Sequence, residues 1–192
     1  IMTPIVKIIL TVLIVVCVLL SGFFSASEIV YSGVSKIKLK KKVEEGSKKA
    51  KAASKISDNF TDALSTILVG NNLVNILTSV VSTRLAIEIW NEEIGPTMAV
   101  ILSTIIVLIF GEIVPKAVGN RYNYNLSMMF ASLFNFFRII FFPITFVVTK
   151  FVSLLAKIWT PKEKEPTATD EELIVLAEEM EEEGVIDEDD AE

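Results

Sequence analysis

The stretch IILTVLIVVCVLLSGFFSASEIVY, residues 8–31, decides the fold class of this chain. Ile8 to Leu20 is almost unbroken hydrocarbon, and apolar character resumes through Phe23 and Phe24 to Tyr31. Roughly 20 helical residues cross a bilayer, so the stretch is long enough to span one. It does not read as a secretory leader, because a basic n-region and a small-residue cleavage site are both missing and Glu28 lies where a cleavage region would be. Inside it, Ser21, Ser25 and Glu28 recur at i, i+4 and i+7 and so share one helical face. Hydroxyls and carboxylates are costly at membrane depth and are kept there to pair with something or to line a polar path.

The rest of the chain follows the same plan. Leu64–Ile89 and Thr97–Val114 are two more apolar stretches, and Leu126–Trp159 is a fourth. Apolar residues make up 52% of 192, above the roughly 45–50% of soluble domains. The expectation is an all-α membrane protein with spans at about residues 5–31, 61–89 and 96–115, inside a membrane domain covering residues 1–160.

Charge is segregated, and the overall value of −6 hides it. Residues 170–192 hold thirteen acids and no base, which leaves the remainder at +7. Nine bases lie between Lys36 and Lys55, directly after the first span. The positive-inside tendency puts that loop in the cytoplasm and the N-terminus outside. The short acidic connection Glu88-Ile89-Trp90-Asn91-Glu92-Glu93, with its interfacial tryptophan, suits the outer side. A nucleic-acid role for the lysines is disfavoured, because basic residues beside a span set topology and meet anionic membrane lipid.

Parity makes the fourth stretch ambiguous. Three crossings leave the Pro115–Asn125 connection cytoplasmic, and a fourth would send Lys162, Lys164 and the acidic tail outside. Asn135, Arg138, Lys150 and Lys157 interrupt it, and Pro143 breaks it. That pattern fits interfacial helices at about 126–158 with snorkelling basic side chains. An ordinary span kinked at Pro143 fits too. Beyond it, Pro161 and Pro166 mark a linker. Thr169-Asp170-Glu171-Glu172 starts an acidic helix with Leu173, Leu176, Ala177 and Met180 on one side, and Gly184 is its expected C-cap. Most of that charge run reads as a solvated face.

Two more polar constellations lie in the spans. Asn71 and Asn75 share a face of the second, next to Gly70, and Thr78, Ser79 and Ser82 continue it. One Asn would serve as inter-helix glue worth on the order of 1 kcal/mol, whereas two on one face suggest a binding surface. The third ends in Gly111-Glu112-Ile113-Val114-Pro115-Lys116. Pro115 has no N–H, so in an α-helix the Gly111 carbonyl loses its partner beside the Glu112 carboxylate. A free carbonyl next to a carboxylate is a candidate cation site where it lines a cavity. A plain kink with Glu112 paired to Lys116 is the other reading. The chain has no histidine and one thiol, Cys17, which disfavours zinc or copper and favours a hard cation such as Mg²⁺, Ca²⁺ or Na⁺.

Ser21-Gly-Phe-Phe-Ser25-Ala-Ser-Glu28, Leu68-Val-Gly70-Asn71-Asn72-Leu-Val-Asn75 and Gly111-Glu112-Ile-Val-Pro115-Lys116 together resemble the signatures of one family. It is the CNNM/CorB/CorC family of magnesium transporters, in its membrane domain of unknown function 21. The resemblance covers roughly residues 5–160. It implies a homodimer in the plasma membrane, three spans per protomer, an external N-terminus, a cytoplasmic C-terminus and an interfacial fourth segment. It also implies an inward-open cavity for Mg²⁺, with Ser21, Ser25, Asn71 and Asn75 as ligands and Gly111 and Glu112 as the helix break and acidic wall. Glu28, Gly70, Pro115 and Lys116 would then line or gate the cavity. The family role is Mg²⁺ movement, proposed as efflux, with Na⁺ a suggested coupling ion. Residues 161–192 resemble the linker and acidic connector that precede a cystathionine-β-synthase (CBS) domain pair, which is expected to be absent from this chain; ATP would bind only there. Ala26-Ser27 departs from relatives that carry glycine after the second serine.

Two other classes compete. An intramembrane hydrolase would need Ser with His, a zinc motif or two membrane aspartates, and none is present, so no enzyme is expected. A sensor or scaffold that binds Mg²⁺ without moving it would use the same ligands, and the sequence does not separate it from a carrier.

Overall fold

The computed structural model describes residues 2–159, and every regular element among them is helical. The first, α1 (Pro4–Gly33), starts on a proline whose missing N–H costs nothing in the first turn. Two short helices follow, α2 (Lys36–Glu44) and α3 (Lys48–Asp58). Ser35 and Ser47 begin them, each side chain accepting a backbone N–H three residues on, from Lys38 and Ala50. Gly46, at φ +88°, makes the left-handed turn between them, which a side chain would strain. Beside that turn Lys42 pairs with Glu45 at 2.6 Å, a hydrogen bond that holds the exposed Glu45 carboxyl below its ordinary pKa. The hairpin thus keeps its lysines in water and buries Leu39, Ala50, Ala53 and Ile56 against the rest.

The longer helices are α4 (Phe60–Ile89), α5 (Gly95–Ile106), α6 (Val114–Arg121) and α7 (Asn123–Trp159). A seven-residue π-helix, Val107–Ile113, joins α5 to α6, so Gly95–Arg121 is one helical run. The turn between α4 and α5 is closed by Asn91, whose Oδ1 accepts from the Glu93 and Ile94 N–H groups.

Three of these helical runs share one axis. α1 and α4 are antiparallel: Lys7 meets Glu88 at 3.5 Å at one end, Ser21 faces Asn71 and Asn75 midway, and Ser57, just before α4, donates to the Tyr31 carbonyl at the other end. The α5–α6 run lies parallel to α1, with Gly95 beside Ile87, Gly111 beside Ser21 and Gly119 beside Ala26.

α7 runs across this bundle. Near its start the Tyr31 hydroxyl donates to the Ser127 carbonyl, and the Phe134 ring packs against Tyr31 at a 59° tilt. Eighteen or so residues later, Thr145 and Thr149 share a cavity with Asp62 and Thr66. The antiparallel pairing of Ser21 with Asn71 and Asn75 puts Asp62 and Thr66 at about the depth of Glu28 to Ser32. Ser127 and Thr149 therefore sit at similar depth although roughly 30 Å of helix separates them at 1.5 Å per residue.

Four helices are thus long and apolar enough to cross a membrane, one more than the three spans expected; α1, α4 and the α5–α6 run lie side by side, and α7 runs across them. Two expectations are corrected. The fourth segment is not broken: α7 passes through the exposed Pro143 as one helix, at the expense of the N–H that the Ile139 carbonyl would have received. The helix of the third span does not stop near residue 115 but continues to Arg121. The expected linker and acidic helix lie outside the described residues.

The core sits at the Lys-rich end. Phe24, Tyr31, Leu39, Ile56, Ile67 and Phe134 are fully buried there, with Phe24 in contact with Phe137 and Phe141. At the other end α1 and α5 expose Ile5, Ile9, Val12, Leu19, Ile101 and Ile105. Such a belt would be anomalous in water and is the ordinary lipid-facing surface of a membrane bundle.

Candidate cation site

Hydroxyls in apolar helices have an easy internal solution, which is to bond the carbonyl four residues back. Ser27, Thr78 and Thr83 take it, bonding Phe23, Val74 and Ser79. Ser21 and Ser25 do not. Ser21 is fully buried and its Oγ lies 2.9 Å from Asn71 Oδ1 and 2.8 Å from Asn75 Oδ1. A hydroxyl has one proton, so it can serve only one of those amide oxygens at a time. Ser25, one turn along α1 and 1% exposed, has a buried Oγ with no hydrogen-bond partner. Leaving a buried hydroxyl unpaired costs about 1–3 kcal/mol, so it calls for a reason.

The third wall of the cluster is the π-helix. A Cβ on Gly111 would lie 2.8 Å from Ser21 Oγ, so only glycine lets the hydroxyl sit there. The π turn also changes which carbonyl Pro115 frees. Val114 N–H bonds Ile109 O, five residues back. In that register Pro115 would face Phe110 O, and it has no proton to give. The carbonyl left without a donor is therefore Phe110's, where an α-helical reading places it at Gly111. Phe110 O faces α1 at Gly22, where a Cβ would lie 3.1 Å away, and the Pro115 ring packs on the same glycine. π turns are over-represented at functional sites because they re-aim backbone and side chains together.

Asn75 links this cluster to an open cavity of about 330 Å³ between α4 and the α5–π run. Its polar wall consists of Asn75, Thr78, Ser79, Ser103, Thr104 and Glu112. Among the described residues no three His, Cys, Asp or Glu side chains come together, so the donors here are amide, hydroxyl and carbonyl oxygens with Glu112 as the nearby carboxylate. Ser103 and Thr104 were not foreseen. The legible signal was Thr104, Leu108 and Glu112 at intervals of four, a polar pair on one face of an apolar helix.

The sequence-derived set divides as follows. Ser21, Asn71, Asn75 and Gly111 converge, and Glu112 shares the cavity with Asn75. Lys116 pairs with Glu28 across α1 and α6 at 3.1 Å, not with Glu112 as the kink reading expected. Gly70 does not reach the cluster: a Cβ there would collide with the Phe24 ring at 2.5 Å, so it makes room for the core.

Comparison with known proteins agrees with this architecture. The Cyclin M transmembrane N-terminal domain family matches residues 12–190. A UPF0053 protein of Haemophilus influenzae is 30% identical over 149 residues, which cover 78% of this chain and 35% of that protein. A UPF0053 protein of Synechocystis is 30% identical over 84 residues, 44% of this chain and 23% of its own length. A DUF21 domain-containing protein of Arabidopsis thaliana is 33% identical over 60 residues, 31% of this chain and 11% of the relative. The chain thus spans about a third or less of the relatives it matches. With its oxygen-lined bundle and a family match over most of its length, the chain is a multi-pass membrane protein that belongs to the CNNM/CorB/CorC family, in its Cyclin M transmembrane N-terminal domain.

Proposed function

We propose that this domain carries Mg²⁺ across the plasma membrane, outward, as a homodimer. The family is generally associated with divalent-cation transport and is of transporter rather than enzyme type. The observation that carries the reading is the convergence of Ser21 Oγ, Asn71 Oδ1 and Asn75 Oδ1 within 3 Å, beside the unpartnered Ser25 hydroxyl. Oxygens crowded around one proton are short of positive charge, and a hard cation supplies it. Neutral ligands bind weakly enough to release the ion, and Mg²⁺, reluctant to dehydrate, keeps waters in the adjoining cavity. Glu112 attracts the ion electrostatically, while Gly111 and Pro115 keep backbone oxygen near it. Glu28 with Lys116 is assigned the gate, since a half-buried ion pair still in reach of water opens at modest cost. The Lys-rich hairpin is assigned to the cytoplasmic side and α7 to its interface, with the N-terminus outside. Na⁺ is the coupling ion to test first.

The test is flux. Purified protein in liposomes loaded with a Mg²⁺-sensitive dye is expected to move Mg²⁺ above empty vesicles. Asn71→Ala is expected to abolish that flux while leaving folding and dimerisation intact. Bound Mg²⁺ without flux in the parent protein would replace the carrier with a sensor or scaffold, and unchanged flux in Asn71→Ala would remove Asn71 from the pathway.

A further inference from the structure

A second polar cavity, of about 200 Å³ and sharing no lining residue with the first, opens between α7 and the first turns of α4. α7 lines it with Arg138, Phe142, Thr145, Phe146 and Thr149, at i, i+4, i+7, i+8 and i+11, a single helical stripe. α4 contributes Asp62 and Thr66. Arg138 and Asp62 carry opposite charges into one space, yet they form no ion pair with each other or with any other described residue. Asp62 in the first turn of α4 has an ordinary role against the helix dipole. That role does not account for an arginine in the middle of an apolar helix aimed at the same cavity. Phe142 and Phe146 on its wall are exposed residues, at 62% and 51%.

We propose that this cavity holds the headgroup of a zwitterionic phospholipid with a primary amine. The guanidinium takes the phosphate with its planar fork of donors, and the Asp62 carboxylate takes the ammonium. Thr66 and Thr149 offer hydroxyls to the ester oxygens, Thr145 spending its proton on the Phe141 and Phe142 carbonyls, and the two phenylalanines receive the start of the acyl chains. The depth is suitable: the cavity is level with the Tyr31 end of α1, where the Lys-rich hairpin packs under α7 and a span meets the headgroups. An anionic lipid would satisfy Arg138 and leave Asp62 facing a like charge. A fully methylated amine would keep its charge but offer Asp62 no N–H.

Native mass spectrometry of the full chain in detergent, titrated with lipids of matched acyl chains, tests this. Phosphatidylethanolamine is expected to bind at least about five-fold tighter than phosphatidylcholine or phosphatidylglycerol, a modest step on the affinity scale. Arg138→Gln and Asp62→Asn are each expected to erase that preference, and soluble phosphoethanolamine not to compete at lipid concentrations. Equal retention of the three lipids by the parent protein overturns the proposal whether or not the variants fold. A preference for phosphatidylglycerol overturns it in favour of a plain basic site, and competition by inorganic phosphate overturns it in favour of a free anion. Mg²⁺ flux plays no part in the readout, so the result stands apart from the carrier reading.

Discussion

Ser25 and Ser27 are two positions apart on α1, both buried, and differ in what their hydroxyls do. Ser27 bonds the Phe23 carbonyl and is satisfied within its own helix, whereas Ser25 bonds nothing. If Ser25 is held in reserve for an ion, Ser25→Ala removes an unpaired polar atom and should leave thermal stability within about 1 kcal/mol of the parent or raise it. Mg²⁺ affinity should nonetheless fall about ten-fold, which isothermal titration in detergent would read. A large loss of stability would instead mean that Ser25 has a structural partner. Gly111 offers the complementary test. Its replacement by Ala places a methyl 2.8 Å from Ser21 Oγ, so the hydroxyl must leave the two amides. Gly111→Ala is expected to keep the helical content seen by circular dichroism and to lose Mg²⁺ binding. Retained binding would show that Ser21 need not sit between Asn71 and Asn75.

At the scale of elements, the third helical run shows how far the sequence can be read. Pro115 announced a disturbed helix, and Glu112 announced that the disturbance mattered. The π register was not legible, because it depends on Gly111 seating itself against Ser21, a contact 90 residues apart in sequence. The same limit applies to Gly70, whose motif suggested the cavity while its neighbour is the Phe24 ring. Glu28 inside the first span and Lys116 at the end of the third were each visible as charges, but only the packing of α1 against α6 makes them a pair. Asn71 and Asn75 were legible, since i, i+4 spacing fixes a shared face before any tertiary contact. These relations give Pro115→Ala a two-sided outcome. The restored N–H can bond a carbonyl and let the π turn relax toward α-helix, a gain of about 0.5–1.5 kcal/mol in stability. The same relaxation takes up the free carbonyl and turns Glu112 away from Asn75. Melting temperature should rise while flux falls, and flux equal to the parent's would show that the π turn is not used.

For the whole molecule the open question in the sequence was the fourth apolar helix, since its length and hydropathy alone qualify it as a span. Its contacts argue otherwise: Ser127 and Thr149 meet the bundle at similar depth, so α7 covers the Lys-rich end like a beam. Orientation can be tested with single cysteines after replacing the buried Cys17 by serine. Ser47→Cys marks the turn between α2 and α3, Asn91→Cys the turn between α4 and α5, and Lys150→Cys the later part of α7. A membrane-impermeant maleimide added to cells should label Asn91→Cys and spare the other two, and permeabilisation should expose Ser47→Cys and Lys150→Cys together. Labelling of Lys150→Cys with Asn91→Cys from outside would make α7 a fourth crossing. The reverse pattern, Ser47→Cys outside and Asn91→Cys inside, would invert the bundle without lifting α7 from the hairpin. Three aligned helices and one transverse helix predict that Ser47→Cys and Lys150→Cys never part company, because Lys150 follows directly on Thr149 at the depth of Asp62, four residues after the hairpin ends at Asp58.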